Sequence, residues 1–276
     1  MNLIKLKKKM EDFFLEDLGE IDISSQMIFG NDSKGEAVII AKENGILSGV
    51  DVIHTGYSLF SDEMKIELIK HDGEVVKHGD IIAKISGPIA AILSGERVIL
   101  NLLQRMSGIA TLTSQAVKTL NSDHTRICDT RKTSPGLRMF EKYAVRCGGG
   151  FNHRFGLYDG VMIKDNHIAF SGSIEKAVRQ VKEKTGHMIK IEVEIETEAE
   201  LYEAIEAGAD VIMFDNRKPE EVEKFAKITP EHIITEASGG ISLHNLAEYR
   251  NTKVDYISLG FLTHSYKSLD LSLNVK

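Results

Sequence analysis

Past residue 125 the chain alternates short apolar runs with segments whose apolar positions recur every three or four residues. The runs predict strands over 126–130, 161–164, 189–195, 211–214, 233–236 and 256–259. Between them, helical periodicity covers 137–147, with apolar residues at 137, 140, 144 and 147, and then 173–185, 198–207, 219–226 and 243–251. Ser173 is placed as an N-cap, and Gly148 and Gly208 as helix terminators. Strand–helix alternation with short connections predicts a parallel sheet. Six strands with no dinucleotide-binding glycine fingerprint favour barrel closure over an open sheet.

The first part has a different grammar. Strands are predicted over 36–42, 65–70 and 80–86, separated by turn signals at 43–45 and 72–73. Helical stretches occupy 5–18, 49–60 and 94–120, the last handing over to the barrel. The alternating tail at 268–275 is one strand too many for the barrel and is expected to return to the first sheet. Domains are therefore expected at 1–110 together with 267–276, and at 111–266. The stretch 71–87, HDGEVVKHGDIIAKISG, is similar to the half-motif of lipoyl-type carriers. It lacks a modifiable lysine in a hairpin turn, so a structural turn unit is the expectation.

Composition narrows the classes. A net charge of −7 opposes general nucleic-acid binding. No apolar run is long enough for a membrane span, and the lysine-containing start lacks the apolar stretch and small-residue site of a signal peptide. Two cysteines, Cys128 and Cys147, form neither a disulfide framework nor a metal-ligand spacing; reduced packing thiols and a cytoplasmic location are expected. Charge is unevenly spread. Residues 126–167 hold eight Lys/Arg against four Asp/Glu, inside a chain that is otherwise acidic. Such an island suggests an anion site. A solvated helix face explains Lys142 and Arg146, one helical turn apart, but not the loop arginines.

Barrel enzymes carry their functional groups at the C-terminal ends of the strands. In order, those ends hold Asp129, Thr130, Arg131 and Lys132; Lys164, Asp165, Asn166 and His167; Glu194; Asp215 and Asn216; Glu236 to Gly240; and Gly260. A long loop adds Asn152, His153 and Arg154. The alternation of Lys190, Glu192 and Glu194 with apolar residues turns the charged face into the lumen. Buried charge at consecutive strand ends is costly unless paired or used. The turn at Ser238, Gly239 and Gly240 is expected to open a helix whose free amides, with Gly260, hold a phosphate.

The run DTRKTSPGLRMFEKYAVRCGGGFNHRFGLYDGVMIKDNHI at 129–168 closely resembles the quinolinate phosphoribosyltransferase family, also called carboxylating nicotinate-nucleotide pyrophosphorylases. So do ERVILN at 96–101, IEVEIET at 191–197, IMFDN at 212–216, EASGGI at 236–241 and SLGFLTHS at 258–265. The resemblance runs from about residue 35 to 275. It implies an N-terminal α/β sandwich plus an irregular six-stranded α/β barrel. It also implies transfer of phosphoribosyl from phosphoribosyl pyrophosphate (PRPP) to quinolinate with Mg2+, releasing pyrophosphate and CO2 and giving nicotinate mononucleotide for NAD biosynthesis. By resemblance, Arg97, Thr130, Arg131, Lys132, His153, Arg154 and Lys164 surround the quinolinate carboxylates and phosphates. Glu194 and Asp215 hold the ribose hydroxyls and the metal, largely through PRPP and water. Ser238, Gly239, Gly240 and Gly260 take the 5′-phosphate. Lys132, Lys164, Glu194 and Asp215 are the expected catalytic set.

The resemblance further implies a homodimer with shared active sites, Arg97 entering from the neighbour, and leaves open a hexamer built as a trimer of dimers. Whether His153 acts as an acid or only as a donor is also open. A paralogous group associated with molybdate transport shares much of the pattern, and a degenerate barrel that binds pyridine nucleotides for regulation is the rival from another class.

Overall fold

The computed structural model describes residues 1–30 and 33–275. The chain divides into two compact units, Met1–Ser114 with Pro135–Gly149 and Ser265–Lys276, and Gln115–Ser134 with Gly150–His264.

In the first unit, helices α1 (Leu3–Leu18) and α2 (Ile23–Ile28) precede strand β1 (Lys34–Ala41). There follow β2 (Gly45–Ile46), α3 (Val50–Ser58), β3 (Lys65–Leu68), β4 (Val75–Val76) and β5 (Ile81–Pro88). The long helix α4 (Ile89–Leu120) leads out of this unit. The sheet order is β12-β1-β5-β3, where β12 (Leu271–Val275) is the returning tail. β12 runs antiparallel to β1, with Ala41 opposite Leu271 and Ala37 opposite Val275. Residue 276, the last of the expected returning segment, lies outside the described residues. β2 and β4 form a separate small ladder, so the lipoyl-like stretch is a structural turn unit.

Why the tail docks there is visible on α4. Along this helix Ile99, Leu103, Met106 and Ala110 recur at helical spacing and are fully buried. A side chain at Gly108 would meet the carbonyl of Lys267 at 2.2 Å, so the tail crosses α4 where no Cβ intrudes. The Gln104 carbonyl then accepts from the Leu269 amide at 3.0 Å, and Gln104 Nε2 donates to the Leu271 carbonyl at 2.8 Å.

The second unit is the irregular six-stranded α/β barrel. Its strands are β6 (Arg126–Cys128), β7 (Val161–Ile163), β8 (Ile191–Ile195), β9 (Val211–Asp215), β10 (Ile234–Ser238) and β11 (Tyr256–Ser258), all parallel, in the order β6-β11-β10-β9-β8-β7. Phe151 adds an isolated parallel bridge to Cys128 of β6. Around the sheet lie α6 (Asp165–Ser171), α7 (Ile174–Lys182), α8 (Glu198–Ala207), α9 (Pro219–Ile228) and α10 (Phe261–His264). Ser173 caps α7, Thr197 and Glu200 form a capping box on α8, and Gly208 closes α8 at φ 73°.

Three expectations are corrected. Helix α5 (Arg138–Cys147), expected within the barrel, belongs to the first unit. There its Phe140 ring lies 6.0 Å from Phe13, Tyr143 donates to Asp72 at 2.6 Å, and Glu141 pairs with Arg105 at 2.5 Å. Lys142, expected on a solvated face, is fully buried on the same helix. The helix expected over 243–251 is a 3-10 turn at Leu246–Asn251. Asn245 delays it, accepting from the Ser242 amide at 2.8 Å and donating to the Gly240 carbonyl at 3.0 Å.

Candidate active site

A cavity of about 550 Å³ opens at the C-terminal ends of the barrel strands. After β6 the chain turns at the fully buried Asp129 and delivers Thr130, Arg131 and Lys132 to its wall. Thr130 Oγ1 accepts the Lys132 amide at 3.0 Å, and the buried Thr263 hydroxyl donates to the Lys132 carbonyl at 2.7 Å. Both bonds set the lysine backbone. Asp129 also holds the loop opposite, accepting from Asn152 Nδ2 at 2.6 Å and from the His153 amide at 3.0 Å. That places His153 and Arg154 on the same wall.

The cations crowd one another. Arg131 Nε is buried without a hydrogen-bond partner among the described residues. Arg154 donates to the Gly160 carbonyl at 2.8 Å, and burial, then the nearby Arg131 charge, push its guanidinium below the usual arginine range. Since a guanidinium does not give up its proton in a protein, an anion set between the two arginines would relieve the stress. Paired oxygens suit that fork geometry.

Facing them, Lys164 at the start of α6 forms an ion pair with Glu194 of β8. Glu194 lies opposite Met213 in the register, and Asp215 is two residues further along β9 on the same face. Asp215 accepts from Asn216 Nδ2 at 2.6 Å. Asn216 has a left-handed backbone (φ 53°), and its amide donates to the Ser238 carbonyl at 2.9 Å.

The next strand end is built against that asparagine. A side chain at Gly239 would stand 2.2 Å from Asn216 Oδ1, and Gly239 and Gly240 both have positive φ, at 79° and 64°. Gly239 has no room for a side chain, and Gly240 takes the left-handed backbone that glycine adopts without cost. The turn does not open a helix directly, contrary to expectation, because the 3-10 segment begins only at Leu246. The amides of Gly239 and Gly240 nonetheless donate to no other backbone group among the described residues, and both glycines line the cavity. Successive free amides in such a turn make an anion-binding concavity.

The cavity thus gathers Thr130, Arg131, Lys132, His153, Arg154, Lys164, Glu194, Asp215, Ser238, Gly239 and Gly240. Gly260 is not on its lining. It stands behind Lys132, whose Cδ would be 2.9 Å from a Cβ at that position. Arg97 lies on α4 in the first unit with its side chain 62% exposed. Met162, Met213, Asn216 and Ser258 also line the cavity. Period-two alternation within β7, β9 and β11 is the signal that places Met162, Met213 and Ser258 on the lumen face.

A parallel α/β barrel with cations, carboxylates and a glycine turn converging on the C-terminal ends of its strands defines an enzyme that handles a small polyanion. Residues 22–107 match the family model described as quinolinate phosphoribosyl transferase, N-terminal domain, and residues 109–274 match its C-terminal domain. The chain belongs to the quinolinate phosphoribosyltransferase family. It is 59% identical over 275 residues to a probable carboxylating nicotinate-nucleotide pyrophosphorylase of Bacillus subtilis, covering 100% of this chain and 95% of that one. It is 38% identical over 279 residues to the decarboxylating quinolinate phosphoribosyltransferase 1b of Nicotiana tabacum, covering 94% and 79%. The crystal structure of NadC from Streptococcus pyogenes superposes with a TM-score of 0.96 at 39% identity, covering 100% of this chain and 98% of that one.

Proposed function

We propose that this chain transfers the phosphoribosyl group of PRPP to the ring nitrogen of quinolinate and releases CO2, forming nicotinate mononucleotide and pyrophosphate in NAD biosynthesis. The observation that carries this reading is the division of one cavity into two walls. Arg131, Lys132 and Arg154 supply cations suited to the carboxylates of a pyridine, while Glu194, Asp215 and the Gly239–Gly240 amides line the same cavity and suit a phosphorylated sugar.

The two arginines clamp quinolinate bidentately and fix its nitrogen toward the sugar. As the bond from ribose C1 to pyrophosphate breaks, positive charge grows on the sugar, and Glu194 and Asp215 stabilise it electrostatically. Lys164 is held by Glu194, and an incoming anion gives it a second partner as the leaving group gains charge. The nitrogen lone pair forms the new bond to C1. The carbon–carbon bond to the adjacent carboxylate then breaks, CO2 leaves, and the electron pair stays on the ring carbon beside the cationic nitrogen until it takes a proton from water.

The donor set suits a hard cation. Glu194 and Asp215 offer carboxylate oxygens on neighbouring strands, and Mg2+ is ordinarily held by one or two carboxylates together with substrate phosphates and water. When bound, Mg2+ neutralises charge on the departing pyrophosphate. We further infer a homodimer in which Arg97 serves the neighbour's site. The exposed Ile4, Ile23, Met27 and Ile28 in the first unit supply apolar surface that an interface would cover. No described helix is long and apolar enough to cross a membrane, and two free thiols suit a reducing cytoplasm.

Incubation of the purified chain with quinolinate, PRPP and Mg2+ tests the reading. Nicotinate mononucleotide should form, and nicotinate should react far more poorly, because it leaves one of the clamped cations unpaired. Equal turnover of both acids, or none of quinolinate, overturns it.

A further inference from the structure

Beneath the cavity the barrel holds a charge cluster that the reaction above does not use. Glu192 on β8 and Glu236 on β10 are buried, and each keeps an Oε1 atom without a hydrogen-bond partner. His153 Nε2 stands 2.9 Å from Glu192 Oε2 and 3.7 Å from Glu236 Oε1. The three ligand atoms lie within 4.8 Å of one another, close enough for a metal centre. His153 lines two spaces at once: the active-site cavity, and a second of about 300 Å³ reaching Val161, Val211, Ile234 and Tyr256 at the opposite strand ends.

The other ring nitrogen decides between a metal and a proton. His153 Nδ1 accepts the backbone N–H of Arg154 at 2.8 Å. An accepting Nδ1 carries no proton, so in the neutral ring the proton is on Nε2, which donates to Glu192. A metal on Nε2 would require the reverse: metal-bound histidines donate the other N–H, and here that nitrogen already faces a donor. Glu192 and Glu236 cannot both sit there ionised without cost. Burial first, and the Glu192 charge second, push the Glu236 carboxyl up to about 8; only a cationic His153 would pull it back strongly, and a neutral ring leaves the proton on Glu236.

We propose that Glu192 and Glu236 are positioning residues that lock His153 as a neutral Nε2–H imidazole at the floor of the site. Glu192 takes the imidazole N–H as a hydrogen bond, and Glu236 shares the remaining space as a protonated acid. His153 therefore meets the substrate as a fixed, uncharged wall. The positive charge that holds the two carboxylates comes from the arginines and lysines. The substrate side of this inference rests on the reaction proposed above; the tautomer does not.

The test is long-range proton–nitrogen spectroscopy on the full chain with 15N-labelled histidine and no substrate, the His153 signal being identified by its loss in His153→Asn. The expected signal is a neutral ring with its proton on Nε2 from about pH 6 to 8. Glu236→Gln should retain it, since an amide replaces a protonated carboxyl. Glu192→Gln should mix the tautomers and raise the quinolinate KM about tenfold, with the PRPP KM changed less than about twofold. A proton on Nδ1, a doubly protonated ring at neutral pH, or stoichiometric Zn2+ binding lost in Glu192→Gln would overturn the proposal. The wild-type spectrum decides even if a variant fails to fold. An inactive wild type would defeat the reaction and leave the tautomer standing.

Discussion

At the residue scale the informative pair is Lys164 and Glu194. Their contact has two readings: an ion pair that holds β7 and β8 together, or two halves of a site parked against each other. The glutamate side chain is 15% exposed and the lysine 43%, and both line the cavity. With the lysine this exposed, solvent screens the pair and its contribution to stability is small. Glu194→Gln and Asp215→Asn, which keep shape and remove charge, should therefore slow turnover by at least ~10-fold, roughly 1.4 kcal/mol of transition-state stabilisation. Quinolinate affinity should hold while PRPP dependence worsens. Melting temperature measured on the same variants separates the readings: normal PRPP kinetics with a large fall in melting temperature would assign these acids to structure.

Elements show where buried charge carries stability. On α5, Glu141 is fully buried and bonded to Arg105, whose guanidinium also lies 4.9 Å from the centre of the Tyr266 ring. Arg105→Ala should cost roughly 3 kcal/mol, because a buried carboxylate loses a counter-charge bonded to it. The double change Arg105→Met with Glu141→Leu should recover much of that loss. Chemical denaturation of the three variants checks the order, and an Arg105→Ala protein as stable as wild type would refute it. In the barrel, Glu236 ties stability to pH. Its folded-state carboxyl is raised to about 8 against an ordinary value of 4.5. The folded chain thus keeps a proton that the unfolded chain releases, so this contribution is full below about 4.5 and falls as pH rises toward 8. Glu236→Gln should flatten that decline in a melting series; parallel curves would show that Glu236 does not cause it.

The barrel's strands are legible in the sequence because each is a short apolar run between turn signals, and β6 through β11 fall within a few residues of those runs. The lumen-facing charges of β8 are equally legible from strict alternation. Helix α6 is not: DNHIAFS has no apolar stripe, and none of its residues is buried. Helix α5 has a clear stripe, but a stripe does not name its partner, so its membership of the first unit emerges only with Phe13, Asp72 and Arg105 in place. The glycine turn is visible as a turn. Its failure to open a helix depends on Asn245, whose side chain satisfies the groups that a helix would otherwise use.

For the whole molecule, the placement of Arg97 is the decisive question. It stands exposed on α4 and is not among the residues that line the barrel cavity, yet the family pattern gives it a substrate role. If it serves a neighbour's barrel, Arg97→Ala and Lys164→Ala should each be nearly inactive, while their mixture recovers part of the activity. A mixed dimer contains one site with neither lesion. Tagged subunits must first be shown to exchange; a mixture that stays inactive after proven exchange would place Arg97 in its own chain's site.

The pairing of β12 with β1 has a consequence during synthesis. The ribosome releases β1 long before β12, with every strand of the barrel emerging in between. Until then one edge of the first sheet, including the buried Val38, Ile39 and Ala41, has no covering strand. An uncovered apolar edge invites pairing with another nascent chain. The barrel can close while its host sheet still waits, so yield in a cell should respond to holdase chaperones through β1 rather than through the more elaborate half of the protein.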